Sequence, residues 1–398
     1  MTQRLTLLRK LDIAWAYKRT LWHILVKKGL KHLYNYLYAK IVVLTGEGAG
    51  GLMNFIQVPL YRRFPELSGL PRQIEVEQNN HCPMKCVMCE TTYWNEQPRD
   101  RTFEEFKNLI DQLPLRWVNM SGIGEPFLNP DYLNNLEYAK SKGIFVNIVD
   151  DFRLVNEKVA RFLIDIGVDS FWISIDGATE ETYRKMRPNF RLKQVLSNIR
   201  RFIEIKKEMR SPVPEICFRF VVSKVNVHEM PKFVELIASL GTRKDFGPAS
   251  RIEFVGILSF PEIEWLYLPE IPYEIIKETC RKAKELDVLV TFFHAQEKNM
   301  PDISDCIAWT EPYITVNGWV VPCCAVLMAN DRDFLRQYSF GNVLEQRFED
   351  IWYHPYYKWF RKAVMDKNSP VPAFCKGCRA YKTKHRERLH GVDYRRRN

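Results

Sequence analysis

At 398 residues and 46% hydrophobic content, the chain can bury a sizeable core, which argues against disorder and suggests one large domain beside a smaller one. Ten cysteines scattered through a Lys-rich chain without an apolar leader argue against a disulfide scaffold, favour reduced thiols or metal ligands, and make a cytoplasmic location the expectation. The net charge of +11 sits at the ends, with nine Lys and Arg against Asp12 in residues 1–40 and nine against Glu387 and Asp393 in residues 376–398; no run of about 18 apolar residues is available to span a membrane.

Residues 5–40 read as helix. Leu8, Leu11, Trp15, Leu21, Trp22, Leu25, Leu33, Tyr34 and Leu37 recur at helical intervals between Arg9, Lys18, Lys27 and Lys31. A basic, aromatic and amphipathic segment suits peripheral contact with an anionic membrane on its inner face. It equally suits a helix pair packed on the main body with a solvated basic face, and both readings stand. Gly46, Gly48, Gly50 and Gly51 mark a linker, so residues 1–70 form a helical extension ending in a linker.

From residue 71 short apolar runs alternate with amphipathic segments. The runs predict strands over Ile74–Gln78, Trp117–Met120, Ile144–Val149, Ser170–Ile175, Ile216–Val222 and Ile252–Val255. Helices are expected near 103–112, 131–141, 156–166, 192–210, 228–239 and 273–286. Six such units over residues 71–295 predict an α/β fold, a partial (β/α)6 TIM-type barrel with its working residues at the carboxyl ends of the strands. After residue 295 the periodicity dissolves into turns at Pro301, Pro312, Gly318, Pro322, Gly341 and Pro355, and four cysteines appear. Residues 296–398 therefore read as a small metal-stapled module with a basic tail.

Cys82-Pro-Met-Lys-Cys86-Val-Met-Cys89 follows directly on the first predicted strand. Three thiolates in one loop leave one iron of a four-iron cluster open to an outside ligand, unlike a ferredoxin run. Zinc with a fourth ligand such as His81 is the alternative, though its usual Cys-x2-Cys pairs at long separation do not match.

The loop resembles the signature of the radical S-adenosylmethionine (SAM) superfamily, and the resemblance spans about residues 71–295. It implies a 4Fe-4S cluster on Cys82, Cys86 and Cys89, with SAM chelating the open iron. It further implies reductive cleavage of SAM to a 5′-deoxyadenosyl radical that takes hydrogen from an unactivated carbon. A ferredoxin or flavodoxin is the kind of electron donor such an enzyme needs. Ser121-Gly-Ile-Gly-Glu-Pro126 looks like the family's segment for the SAM amino group, here Gly122, Gly124, Glu125 and Pro126 with Ile123 inserted. Ser174 and Asp176 stand where the family contacts the ribose, Arg187 where it often places an arginine near the SAM carboxylate. Met88 replaces the usual aromatic residue and can still cover an adenine edge. The third strand departs from the family's Thr-Asn-Gly, ending in Asn147-Ile-Val-Asp150-Asp151; these acids touch substrate or are solvated, solvation being the preferred reading.

Cys306, eleven residues, Gly318, four residues and Cys323 precede Cys375-Lys-Gly-Cys378. With Phe340-Gly-Asn-Val-Leu-Glu345 and Ile351-Trp352, this resembles the SPASM extension of the same superfamily. The full extension has seven cysteines for two clusters. The resemblance therefore implies one auxiliary 4Fe-4S cluster on Cys306, Cys323, Cys375 and Cys378, while spacing alone also permits a four-cysteine zinc site. Cys324 is an odd thiol, a spare ligand or a buried residue. Cys217 and Cys280 read as core residues.

For the substrate, the basic aromatic amino terminus favours a lipid or another membrane-held molecule, with C–C bond formation or alkyl-chain modification. The alternative is a SPASM-type peptide or protein maturase, and a further one a non-catalytic iron-sulfur electron carrier. No RNA-binding motif accompanies the charge, so a nucleic-acid partner is not expected.

Overall fold

Strand residues alternate between two faces, and one face of each strand here is continuously apolar. In the computed structural model, which describes residues 7–44, 64, 68–241, 246–247, 251–257, 260–293, 306, 308–328, 332–366, 368–375 and 378, that face carries Ile74, Val118, Val146, Phe171, Phe218 and Phe254, all buried. The strands are β1 (Gln73–Val76), β2 (Trp117–Met120), β3 (Phe145–Asp150), β4 (Ser170–Ser174), β5 (Glu215–Val222), β6 (Arg251–Gly256) and β7 (Leu289–Phe293), parallel neighbours in chain order. The helices between them are α3 (Phe103–Asp111), α4 (Tyr132–Ser141), α5 (Glu157–Ile166), α6 (Glu180–Met186), α7 (Leu192–Glu208), α8 (Met230–Ala238) and α9 (Tyr273–Glu285). Their buried residues, among them Phe106, Leu136, Leu163, Ile199 and Phe233, share one core with the apolar strand face. Each such side chain contributes about 1.5–3 kcal/mol by leaving water. Local signals set the boundaries: Thr102 and Glu105 form a reciprocal capping box on α3, and Asn156 caps α5.

The six expected strands form within a residue or two of their predicted limits, and the α/β barrel-type fold is as expected. Three elements differ. α6 was hidden because four of its seven residues are charged, Glu180, Glu181, Arg184 and Lys185. β7 is a short, mainly apolar run broken only by Thr291, beside a helix end, where periodicity cannot separate the two states. The carboxy-terminal module is also more ordered than its turns suggested. It holds α10 (Arg332–Tyr338), α11 (Phe348–Tyr353) and α12 (Pro355–Met365). Pro355 starts α12 instead of breaking structure, since a first-turn proline loses no helical hydrogen bond.

The same module extends the sheet. β8 (Tyr313–Ile314) pairs parallel to β1, and β9 (Val320–Val321) pairs antiparallel to β8, giving the order β7-β6-β5-β4-β3-β2-β1-β8-β9. At the other end of the chain, α1 (Leu7–Lys28) and α2 (Leu30–Leu44) are two helices, separated at Gly29, whose φ of +85° other residues rarely adopt. The inner side of α2 docks on the sheet: Tyr36 is fully buried against Phe145, and its hydroxyl donates to Glu215 at 2.6 Å. Lys40 reaches the other Glu215 oxygen at 2.7 Å, and Asn35 donates to the Gly143 carbonyl at 2.8 Å. The helix-pair reading of the amino terminus therefore holds. Residues 41–44 continue α2, and the glycines expected to form a linker lie outside the described residues. No helix among the described residues is long and apolar enough to cross a membrane.

Candidate functional site

Chain leaving β1 enters the cysteine loop, which a left-handed Lys85 (φ 53°) helps to curl. The Cys89 N–H donates to the Cys86 carbonyl at 3.1 Å. The segment around the end of α6 clamps the loop: Val87 N–H donates to Met186 O at 3.0 Å, and Asn189 Nδ2 donates to the carbonyls of Pro83 and Met84 at 3.3 Å. Burial pushes the Cys82 thiol up to about 12, raises Cys86, and raises Cys89 well above the usual thiol range. Three thiols that resist ionisation alone suit a site where a metal's charge stabilises the thiolates. By that donor chemistry the residues fit an iron-sulfur cluster.

The loop after β2 is stitched to this one. Glu125 N–H donates to His81 O at 3.0 Å, and Asn79 Nδ2 donates to Glu125 O at 2.7 Å. A Cβ on Gly124 would lie 1.9 Å from Asn79 Oδ1 and 2.5 Å from the Asn79 carbonyl oxygen. Gly124 thus admits the neighbouring backbone. Pro126, buried, opens the turn that follows, and Gly122 packs over Glu77.

Glu125 is 3% exposed, and its Oε1 has no partner. Its carboxylate and those of Asp150 and Asp151 have oxygens within 4.8 Å of one another. Burial first, then Asp150 and Asp151, raise Glu125; burial first, then Asp151, raise Asp150. The two aspartates, preferred as solvated from sequence, are each only 6% exposed. Arg153, which sequence reasoning missed, lies 3.6 Å from Glu125 and 3.9 Å from Asp151 and stacks on Phe190. One guanidinium against three carboxylates leaves a surplus of acceptors that fits an ammonium group.

Asp176 and Arg187, named separately from the sequence, meet each other. Arg187 Nη2 is 2.6 Å from Asp176 Oδ2, and the second oxygen accepts from Val221 N–H at 2.7 Å. Arg187 Nη1 is 3.9 Å from Cys86 Sγ. Asp176 is fully buried, so it orients Arg187 towards the cysteine loop, while the half-buried Ser174 is the more accessible of the expected ribose pair. Met88 packs in an apolar cluster with Met84, Met186, Ile257 and Phe260.

In the carboxy-terminal module Cys306, Cys323 and Cys378 lie near enough to Cys375 for their charges to act on its thiol. Burial raises the Cys375 thiol well above its usual range, followed by the charges of Cys306, Cys378 and Cys323. Cys324 is exposed, and its thiol is raised by desolvation first and then by the nearby charges of Glu75, Cys323 and Glu311. Cys217 is buried in β5 as expected, and Cys280 is half-buried in α9.

The inner face of the sheet, opposite the helices, was illegible as a site. Glu75, Asn119 and Asn147 hold registered positions on β1, β2 and β3, and Arg219 and Glu253 pair across β5 and β6 at 2.8 Å. Trp172 lies under both Arg219 and Arg251. The available signal is the charged Glu75 between Ile74 and Val76, which strand alternation by itself also accounts for.

Comparison with known proteins gives matches to two family models, the radical SAM superfamily over residues 76–237 and SPASM, an iron-sulfur cluster-binding domain, over residues 306–379. The tungsten-containing aldehyde ferredoxin oxidoreductase cofactor-modifying protein of Pyrococcus furiosus is 22% identical over 77% of this chain and 87% of its own length. PqqA peptide cyclase of Bradyrhizobium diazoefficiens is 23% identical over 69% of this chain and 72% of its own. Among solved structures, Streptococcus suis SuiB bound to S-adenosylmethionine has a TM-score of 0.58 at 15% identity, covering 87% of this chain and 84% of that one. SuiB bound to the precursor peptide SuiA gives 0.56 at 15% identity, over 77% and 70%. These structural likenesses establish the fold.

Proposed function

The chain is a radical SAM enzyme with a carboxy-terminal SPASM iron-sulfur module, and from that premise we propose that it is a peptide or protein maturase. The polarity of the inner sheet face carries this reading over the lipid expected from sequence. An alkyl chain laid along Glu75, Asn119, Asn147, Arg219 and Glu253 would strip water from charges and offer no hydrogen bond in return. A polypeptide brings donors and acceptors of its own. Relatives named as a peptide cyclase and as a protein bound to a precursor peptide support the same choice.

On this reading Cys82, Cys86 and Cys89 hold the SAM-binding 4Fe-4S cluster. Glu125 receives the SAM ammonium with Gly122, Gly124 and Pro126 shaping its loop, Arg187 meets the carboxylate, Ser174 the ribose, and Met88 the adenine edge. Cys306, Cys323, Cys375 and Cys378 hold one auxiliary 4Fe-4S cluster. A ferredoxin or flavodoxin supplies electrons. When bound, the cofactor pair provides a radical able to take hydrogen from an unactivated carbon; the chain's own part is to orient the groups and exclude water. Residues 71–295 form the catalytic core and residues 296–398 the auxiliary module.

Comparative peptide and lipid profiling of a strain lacking the gene tests the substrate class. A modified peptide should disappear; a lost lipid species with an unchanged peptide set would overturn the reading.

A second reading concerns location. Trp15, Trp22, Val26 and Leu30 are exposed along the outer side of α1–α2 beside exposed Lys18, Lys27 and Lys31. That pattern suits peripheral docking on an anionic membrane. Because α2 packs on the sheet, deletion is a poor test, and Trp22→Ser with Leu30→Ser is the better one. Co-flotation with anionic vesicles that survives both changes would end the idea.

A further inference from the structure

Hydrogen-bond donors and acceptors on the inner face do not balance. The Trp117 indole N–H donates to Asn119 Oδ1 at 2.9 Å. An indole nitrogen can only donate, so the Asn119 amide orientation is fixed, and its Nδ2 faces the Glu311 carboxylate. Asn147 Nδ2 must then donate to the same Asn119 oxygen, at 2.9 Å. This turns Asn147 Oδ1 away with no partner, although Asn147 is only 7% exposed.

The surrounding groups all donate inward as well. Ser121 Oγ donates to Glu75, and Gln73 Nε2 donates to Glu311 at 3.2 Å. Unspent capacity is therefore entirely acceptor: the remaining lone pairs of Glu75 and Glu311 and the free oxygen of Asn147. No Lys or Arg among the described residues pairs with Glu75 or Glu311. The nearby Arg219 is committed to Glu253 at 2.8 Å and stacks on Trp172. Burial, and then the charge of Glu75, pushes Glu311 up to about 8; burial also raises Glu75. Burial thus favours the protonated form of both carboxyls, and a ligand that brings its own positive charge would take the place of that proton beside an open amide oxygen.

We propose that Glu75, Glu311 and Asn147 form a cation-binding subsite inside the sheet that takes an alkylammonium or alkylguanidinium group of the substrate, as on a lysine or arginine side chain. The assignment to a peptide side chain rests on the maturase reading; the subsite itself does not. It is separate from Glu125, Asp150 and Asp151, which are assigned to SAM. Asn119 and Trp117 act as positioning residues that fix the orientation of the Asn147 amide.

The test uses the full-length, anaerobically reconstituted protein with SAM present, so that the Glu125 acids are filled. Binding of n-butylammonium, n-butylguanidinium and neutral butyramide is followed by saturation-transfer NMR. Either or both cations should bind and butyramide should not, the two cation arms telling ammonium from guanidinium. Glu75→Gln and Glu311→Gln should each weaken cation binding about 10-fold or more, as expected for a lost charged hydrogen bond. Iron content and denaturation midpoint report whether the variants fold. Equal binding of butyramide, or unchanged binding in both folded variants, would overturn the subsite. Cation binding beside a lipid product in the profiling experiment would instead overturn the maturase reading alone.

Discussion

Glu77, just beyond β1, and Arg332, at the start of α10, form a buried ion pair across the junction between the sheet and the carboxy-terminal module. The Glu77 carboxylate also accepts from Val316 N–H at 2.8 Å and from the Tyr313 hydroxyl at 3.1 Å. Arg332 in turn reaches Glu96 at 3.1 Å. With β8 paired to β1, this makes the module a continuation of the barrel's own hydrogen-bond network, so the two cysteine sites are held in fixed relation.

Removing one partner of that pair should be costly. Arg332→Met leaves Glu77 buried without its cation, a loss of about 3–5 kcal/mol. Chemical denaturation should show one transition at a lower midpoint. Two separated transitions, or an unchanged midpoint, would mean that the modules are not coupled through Glu77.

Iron analysis distinguishes the two cysteine groups. Wild type reconstituted anaerobically should carry about eight irons, and Cys375→Ala about four, because each 4Fe-4S cluster contributes four. Cys82→Ala should retain the auxiliary irons and release no 5′-deoxyadenosine from SAM. Cys324→Ala should keep the wild-type iron count, since the four other cysteines of the module suffice for one cluster. Zinc in place of the second set of irons would return the carboxy-terminal site to a structural zinc role.

Gly124→Ala probes a contact between loops. The added methyl would sit 1.9 Å from Asn79 Oδ1, so the loops bearing Cys82 and Glu125 must move apart. A displacement of that size near the chemistry lowers turnover on the order of 10²-fold. SAM cleavage should fall that far while far-UV circular dichroism stays native. Full activity would mean that the loop spacing is unimportant.

Stability should depend on pH through Glu311. Its folded value is pushed up to about 8 from an ordinary 4.5, so the folded state binds the proton more tightly than the unfolded chain. Its contribution is full below about 4.5 and is lost as pH rises through about 8. Glu311→Gln should therefore flatten the decline in denaturation midpoint across that window. Parallel wild-type and variant profiles would contradict the assignment.

Much of the fold was legible because it rests on short-range patterns. Alternation in Ile74–Gln78 or Ser170–Ile175, and helical spacing in 192–210, are set by the geometry of one element and survive in the sequence. The loop of Cys82, Cys86 and Cys89 was legible for the same reason, since three ligands lie within eight residues. α6 and α12 were not, being short, polar or opened by a proline.

The sequence by itself determined which residues are candidates for the cofactor chemistry and in what order the strands and most helices come. Only the tertiary structure decided which groups meet across long separations. It closes Gly124 onto Asn79, joins Glu77 to Arg332, and brings Glu311 beside Asn119 from more than 190 residues along the chain. A local pattern records which face of a strand a side chain takes. It holds no record of what the folded chain later sets against that face, and in this protein those late contacts carry the case for where the substrate binds.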